Sequence, residues 1–459
     1  MTSFIVFFSK ENKQRNVMKK SVIIFQKLRD SVHSQEFQKK HRISEKDFKR
    51  NSSLTFSILL FLIINQMKHS IADEIFKFCD YFKKNIFTKS AFIKARGKLS
   101  HNAFIELNDI LVETLYEDKK LKKKFGMIVL AMDGFKCELP DSHKTTSYFG
   151  TMKNQSDVEI TAARCSQIYD VLNGITIKGA IEPYKTSERD LAISLIDGFL
   201  EFKKKTNHEF MFIFDRGYPS ILFLLYLLKN NINFIMRSNH KFLKEITDAL
   251  KSGKKDQVIE ISLKDKKPNN AEELLRHFPK YFKMKIKIRI ILLKLDNGET
   301  EILLTSMLDK KIFKHKVFKK LYFLRWGVEE NIKFMKIRAE IENISGKRVI
   351  TVKQDFFSTI LCINVLALLS EEAKKELLKN KKISKRKYEY EINYNIALGK
   401  IKNTFVQALM DCYIDMNEYS ERMIKLMIMN LEAVRPNRKY ERRCKQPRRK
   451  FYMNQRRAA

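Results

Sequence analysis

The sequence predicts an α/β fold: a mixed sheet flanked by helices, interrupted by an antiparallel β insertion and preceded by an N-terminal helical domain. Three observations lead to it. Residues 51–124 carry helical spacing without strand-like alternation. From Gly126, short apolar runs bounded by turn residues alternate with amphipathic helices, as in sheets buried between helical layers. From about His240 to Asp309 that alternation stops and strand-like runs follow one another.

Residues 1–50 are polar and Lys-rich and read as a frayed or loosely helical segment, with Met18 as an alternative start. In residues 51–124, "LTFSILLFLII" (Leu54–Ile64) is the most apolar run. It falls short of the roughly 20 residues that cross a bilayer and reads as a buried helix. Thr88 is an N-cap for a helix with Phe92, Ala95 and Leu99 on one face. The other face carries Lys89, Lys94, Arg96 and Lys98. That face fits a helix-turn-helix-like element laid on DNA and, equally, a solvated basic helix.

In residues 125–240, "GMIVLAMD" reads as a strand ending in Asp133. "VEITAARCSQIYD" and "GITIKGAIEP" are two more strands, joined through the turn pair Asn173-Gly174. "SERDLAISLIDGFLEF" is a helix capped by Ser187 or Thr186. "EFMFIFDRGY" repeats the first arrangement, a strand ending in Asp215 with Gly217 in the turn. "PSILFLLYLLKNN" and "INFIMRSN" follow as helix and strand. In residues 241–309, "DQVIEISL", "KMKIKIRIILLKL" and "TEILLTSML" form the β insertion, read as a subdomain with a hairpin turn at Asp296-Asn297-Gly298. Residues 310–375 hold a helix from about Lys316 and the apolar helix "DFFSTILCINVLALLSEEAKKELL". Residues 376–434 are helical. Residues 435–459 carry eleven Lys and Arg against one Glu and read as a disordered, polyanion-binding arm.

The 459 residues suffice for two or three domains, and 44% hydrophobic content fits a folded chain. Ninety Lys and Arg against fifty-three Asp and Glu leave a net charge of +37. Such an excess points to a polyanionic partner, because neutralised phosphates release condensed counterions. An AT-rich coding bias raises Lys as well, but does not account for the Arg-rich tail. Six cysteines stand apart, without a CxxC pair or nearby His. They read as reduced thiols of a cytoplasmic protein rather than a disulfide framework or zinc site. "FIVFF" near the start lacks the basic flank and cleavage site of a secretory signal, so no membrane partner is expected.

The stretch "LYFLRWGVEENIKFMK" (Leu321–Lys336) is an amphipathic helix with Leu321, Leu324, Val328, Ile332 and Met335 on its buried stripe. At about 100° per residue, Tyr322, Arg325, Glu329 and Lys336 share roughly a 60° arc beside that stripe. Such a line is either a solvated face with an Arg325–Glu329 pair or part of a site. If the strands ending in Asp133 and Asp215 are parallel neighbours, their C-terminal ends bring both acids together, where open α/β sheets place ligands. Three carboxylates meeting there need a divalent cation between them, and hard oxygen donors select magnesium or manganese. Two such ions about 4 Å apart activate an attacking hydroxyl and stabilise the leaving oxygen of a phosphodiester.

The spacing Y-x2-R-x3-E-x6-K at Tyr322, Arg325, Glu329 and Lys336 resembles the signature of the insertion-sequence-four group of DDE transposases. "MDGFKCELPDS…YFG" and "FDRGY" resemble that group's two aspartate blocks, and "YDVLNGITI" and "SERDLA" are similar to its sequences too. The resemblance runs from about Thr88 to the basic tail. It implies a ribonuclease-H-like mixed sheet, with residues 125–240 and 310–375 as the two parts of the catalytic core. It further implies that Asp133, Asp215 and Glu329 are the catalytic, metal-holding triad for two Mg2+ or Mn2+ ions. Tyr322, Arg325, Lys336 and Arg216 are then DNA contacts, and the partners are double-stranded transposon ends and target, held by a homodimer. The expected activity is end cleavage and strand transfer. A nuclease of the same core, or an inactive DNA-binding descendant, is the alternative. Several members turn a base out onto a Trp of the β insertion. The one Trp here is Trp326, read as packing, with Phe278, Tyr281 or Phe282 as substitutes.

Overall fold

The computed structural model describes residues 18–50, 52–66, 68–153, 157–264, 275–276, 278–280, 283–379 and 388–435. The N-terminal region is built from helices Lys20–His33, Gln35–His41, Phe56–Asn65, Ile71–Tyr81, Lys89–Arg96 and Asn102–Tyr116. Ser34, Thr55, Ser70 and Thr88 cap four of these by accepting backbone N–H groups, which satisfies donors that a helix start leaves unpaired. The Leu54–Ile64 run is a buried helix, as expected.

Of the two readings of the Lys-rich start, frayed or loosely helical, the helical one holds from Lys20, but the helix is packed rather than loose: Lys20–His33 buries Val22, Ile24, Phe25, Leu28 and Val32. Phe25 meets Phe405 and Tyr419 with ring centroids 5.5 and 5.6 Å apart. Those rings lie on the C-terminal helices Tyr394–Met410 and Met416–Met429, which fold back across the N-terminal region. The basic tail beyond Arg435 lies outside the described residues.

Among the described residues, nine strands form one mixed sheet: β1 Met127–Glu138, β2 Thr151–Lys153, β3 Glu159–Asp170, β4 Ile175–Pro183, β5 Glu209–Phe214, β6 Asn233–Ser238, β7 Asp256–Ser262, β8 Lys285–Lys294 and β9 Thr300–Thr305. Their order is β2-β3-β1-β5-β6-β9-β8-β7, with β4 on β3. β5 lies parallel to β1, and β6 parallel to β5. The β3–β4 connection closes through Asp170, whose carboxylate accepts from Leu172 N, Asn173 N and the Tyr116 hydroxyl, while Gly174 takes the positive φ the turn requires. Helix Glu188–Lys204, capped by Ser187, carries the chain from β4 to β5.

The expected β insertion is antiparallel, but it is not separate. β9 pairs with β6 from Ile235↔Thr305 to Ser238↔Ile302, so β7–β9 prolong the main sheet and cover an edge that would otherwise stay open. Buried Arg289 on β8 fastens this extension. Its guanidinium takes Asp256 at 2.9 and 2.6 Å and also donates to the carbonyls of Met307, Asp309 and Phe313. That brace fixes the approach to the segment bearing Glu329. The long helix Val349–Lys379 is apolar enough by length and composition to cross a membrane, yet 83% of its most apolar window is buried inside the fold. β10 Glu389–Ile392 and β11 Leu431–Val434 form a small second sheet.

Candidate active site

The register of β1 and β5 sets the site. Parallel pairing runs from Met127↔Glu209 to Ala131↔Ile213, so Asp133 and Asp215 both stand two residues beyond the last pair. With strands about 4.8 Å apart and side chains alternating, equal offsets put both acids on one face at one level. β1 does not end at Asp133, as its apolar run suggested. It continues to Glu138 because β3 pairs along that stretch, with Asp133 opposite Gln167. β5 stops at Phe214, and the Asp215 carboxylate turns to accept the Gly217 N–H at 2.8 Å. One strand therefore continues where its neighbour ends, which opens a notch beside Asp133.

Electrostatics tie the third acid to this notch. The Asp133 carboxyl is pushed up to about 7, first by burial, then by the charge of Asp215, with Glu329 adding to the rise and Arg325 opposing it. All four groups therefore share one neighbourhood.

The helix bearing Glu329 is not continuous. Helices Val317–Phe323 and Trp326–Ile337 are separated at Leu324 and Arg325. There the backbone bonds tighten to three-residue spacing, with Leu324 N to Leu321 O at 3.1 Å, Arg325 N to Tyr322 O at 3.0 Å and Val328 N to Arg325 O at 3.1 Å. Gly327 allows the second helix to settle on the β3–β4 turn, since a Cβ there would lie 3.2 Å from Val171 Cβ. Buried Asn331 donates to Gln167 at 3.0 Å and to Thr176 at 3.4 Å, which pins the helix to β3 and β4 behind Asp133.

Arg325 binds Glu329 at 2.6 Å and lies over the rings of Tyr322 and Trp326, 5.8 and 5.4 Å from their centroids. Arg325 Nε and the Tyr322 hydroxyl are buried without hydrogen-bond partners. Burial raises the Tyr322 phenol pKa; Arg325, Glu301, Arg237 and Asp215 are the charges it senses. Lys336 sits apart from this group. Its ammonium donates to the Lys136 carbonyl at 2.5 Å, pairs with Glu342 at 2.9 Å and lies over Phe135. Arg216 is exposed immediately after Asp215.

Trp326 is 49% exposed, so it is not the packing residue its apolar character suggested. Phe278 is buried, with Lys229 over its ring, while Tyr281 and Phe282 lie outside the described residues. On helix Lys89–Arg96 the basic face divides: Lys89, Lys94 and Lys98 are exposed, but Arg96 is buried. Two site neighbours did not stand out as site residues in the sequence. Glu188 begins its helix beside the notch and pairs with Arg164 at 2.7 Å, and Tyr218 is buried beneath Asp133, Glu188 and Asp215. Only the stretches that contain them, "SERDLA" and "FDRGY", carried a signal.

The donor chemistry fits a divalent ion. Hard carboxylate oxygens are what magnesium and manganese take, and Asp133, raised first by burial and then by the charge of Asp215, is an acid whose ionised form a nearby cation favours. Among the described residues, no three His, Cys, Asp or Glu side chains are gathered closely enough to hold an ion as they stand. Glu329 is turned to Arg325 and Asp215 to Gly217.

Residues 124–365 match the family model described as the transposase DDE domain. No curated protein matches the chain. Among solved structures, a cryo-electron microscopy structure of a piggyBac transposase synaptic complex with hairpin DNA is similar at a TM-score of 0.43 and 11% identity, over 91% of this chain and 86% of that one.

Proposed function

The chain belongs to the transposase DDE domain family, and from that premise we propose that it is the DNA transposase of an insertion sequence of the insertion-sequence-four group. It binds terminal inverted repeats, cleaves at the element's ends and joins them to a target. The observation that supports this reading most is the matched β1–β5 register, which gives Asp133 and Asp215 equal offsets, with Glu329 in electrostatic contact from the adjoining helix.

In this reading Asp133, Asp215 and Glu329 hold two Mg2+ or Mn2+ ions. Bound there, the ions supply an activated hydroxyl and stabilise charge on the leaving oxygen. The chain's own residues place the DNA. Arg325, with donors to spare and an exposed aromatic beside it, takes a phosphate next to the scissile bond. Tyr322 offers its unpartnered hydroxyl and Arg216 its exposed guanidinium along the same strand. Lys336 contributes a further cation about two turns along the helix, toward the far end of β1. The +37 charge supplies non-specific affinity for the duplex, and two ends are held by a homodimer in the bacterial cytoplasm.

The test is incubation with the element's own ends, a target duplex and Mg2+, followed by separation of cut from joined product. Joined product is expected. Cut product alone would assign a nuclease of the same core, and binding without cutting would assign an inactive DNA-binding descendant.

A further inference from the structure

Helix Glu188–Lys204 packs on β3 and β4, and its first residue reaches both aspartate-bearing segments. An added Cβ at Gly134, the residue after Asp133, would lie 3.1 Å from Glu188 Cδ and 3.2 Å from its Cγ and Oε1. At Gly217, two residues after Asp215, a Cβ would meet Asp215 Oδ1 at 3.2 Å and Glu188 Oε2 at 3.8 Å. Neither glycine has a positive φ; a side chain at Gly134 would crowd Glu188, whereas at Gly217 Glu188 stands at ordinary contact distance.

We infer that Glu188 is a positioning residue for this site: its side chain is wedged between the backbones following Asp133 and Asp215 and sets their separation. This rests on the proposed ion-dependent reading of the site. Three further contacts keep the wedge in place. Arg164 of β3 holds Glu188 Oε1 at 2.7 Å, and its guanidinium is backed by the Tyr184 ring at 5.2 Å. Arg189, the next residue in the helix, donates twice to the Gly217 carbonyl, at 3.2 and 3.1 Å. Ser187 caps the helix, and a carboxylate in its first turn suits the positive end of the helix dipole. Beneath the cluster, the Tyr218 hydroxyl is buried beside Ser166, and Asp133, Glu188 and Asp215 are the acids it senses.

Size complementation tests the wedge. Glu188→Ala, the isosteric Glu188→Gln, Gly134→Ala and the double variant Gly134→Ala/Glu188→Asp are compared with the full chain. Mn2+ affinity is read by calorimetry with the metal alone, alongside cleavage and binding of the element's ends. Glu188→Ala and Glu188→Gln are expected to weaken Mn2+ binding and slow cleavage by about 10- to 100-fold, as is usual for residues that orient metal ligands, with end binding unchanged. Gly134→Ala should match them, and the shorter Asp in the double variant should recover at least about tenfold over Gly134→Ala alone. A merely damaged fold would show no such reciprocity. Wild-type Mn2+ affinity and cleavage in Glu188→Ala, or no recovery in the double variant, would overturn the inference while leaving the transposase reading intact. A wild-type protein that neither binds Mn2+ nor cleaves would overturn both.

Discussion

Two arginine–carboxylate pairs in this molecule have the same length and opposite surroundings. Arg96 and Asp355 meet at 2.6 Å, and so do Arg325 and Glu329. Around the first pair nearly every donor and acceptor is used. Arg96 also donates to Gln354, Ser345 and the Thr351 carbonyl, Asp355 accepts from the Ser345 N–H and hydroxyl, and Gln354 returns two bonds to the carbonyls of Arg96 and Leu99. Arg325 has Glu329, two aromatic faces and a buried Nε without a partner. A saturated pair is a structural bracket. An unsaturated one, beside a crowded set of carboxylates, keeps capacity for a ligand.

The largest effect that should separate them is on chemistry. Glu329→Gln and Asp133→Asn should each lower cleavage by about a thousandfold or more, the scale reached when a group stabilising transition-state charge is removed. End binding should persist, and unfolding midpoints should not fall. Cleavage surviving in either variant would place the site elsewhere.

Stability should show the reverse contrast. Arg96→Ala leaves Asp355 charged and buried, and breaking such a pair costs about 3–5 kcal/mol. Arg325→Ala removes a partly buried pair, 11% and 27% exposed, that carries few other hydrogen bonds, and should cost less, about 1–3 kcal/mol, while impairing cleavage. Urea denaturation of the two variants side by side reads this directly. Equal losses would erase the distinction between bracket and poised pair.

A third effect depends on pH. Asp133 is raised from its ordinary value to about 7 in the ion-free fold, so it favours folding in its protonated form. That contribution is fully present below about pH 4 and is lost as pH rises through about 7. Between those limits the ion-free protein should lose roughly 3–4 kcal/mol of stability from this group. Asp133→Asn should flatten the profile, and Mg2+ should flatten it for the wild type. An unchanged profile in Asp133→Asn would mean that burial and the neighbouring acids do not raise Asp133.

Part of this contrast was legible in the sequence. The strands leading to Asp133 and Asp215 were visible as short apolar runs, and hydroxyls before helical spacing marked the cap Thr88 and narrowed the next cap to Ser187 or Thr186, of which Ser187 serves. Burial of Arg96 was not legible, because its partner Asp355 lies 259 residues away and local spacing assigns Arg96 to a basic face. The same distance problem hid the packing of helix Lys20–His33, whose Phe25 meets Phe405 and Tyr419 from the far end of the chain. Joining of β9 to β6 was hidden because antiparallel strands carry no mark of which edge they will meet. The break at Leu324 and Arg325 lies inside an unbroken helical pattern, next to Gly327, which meets Val171 of a distant turn. Glu188 was missed because its place depends on two glycines in other elements.

The smallest expected effect concerns Lys336, which both pairs help to interpret. Its ammonium is tied to the Lys136 carbonyl and to Glu342, which in turn accepts the Glu138 N–H. This resembles a bracket. Yet Lys336 is partly exposed and reaches the strand that carries Asp133. The two roles differ in salt dependence. A phosphate contact releases a counterion, so Lys336→Ala should reduce the slope of log affinity against log salt by about one for the element's ends. A purely structural tie would leave that slope unchanged and lower the unfolding midpoint instead. Should the slope hold, the DNA path ends near Arg325 and Arg216, and the far end of the Glu329 helix serves only to anchor β1.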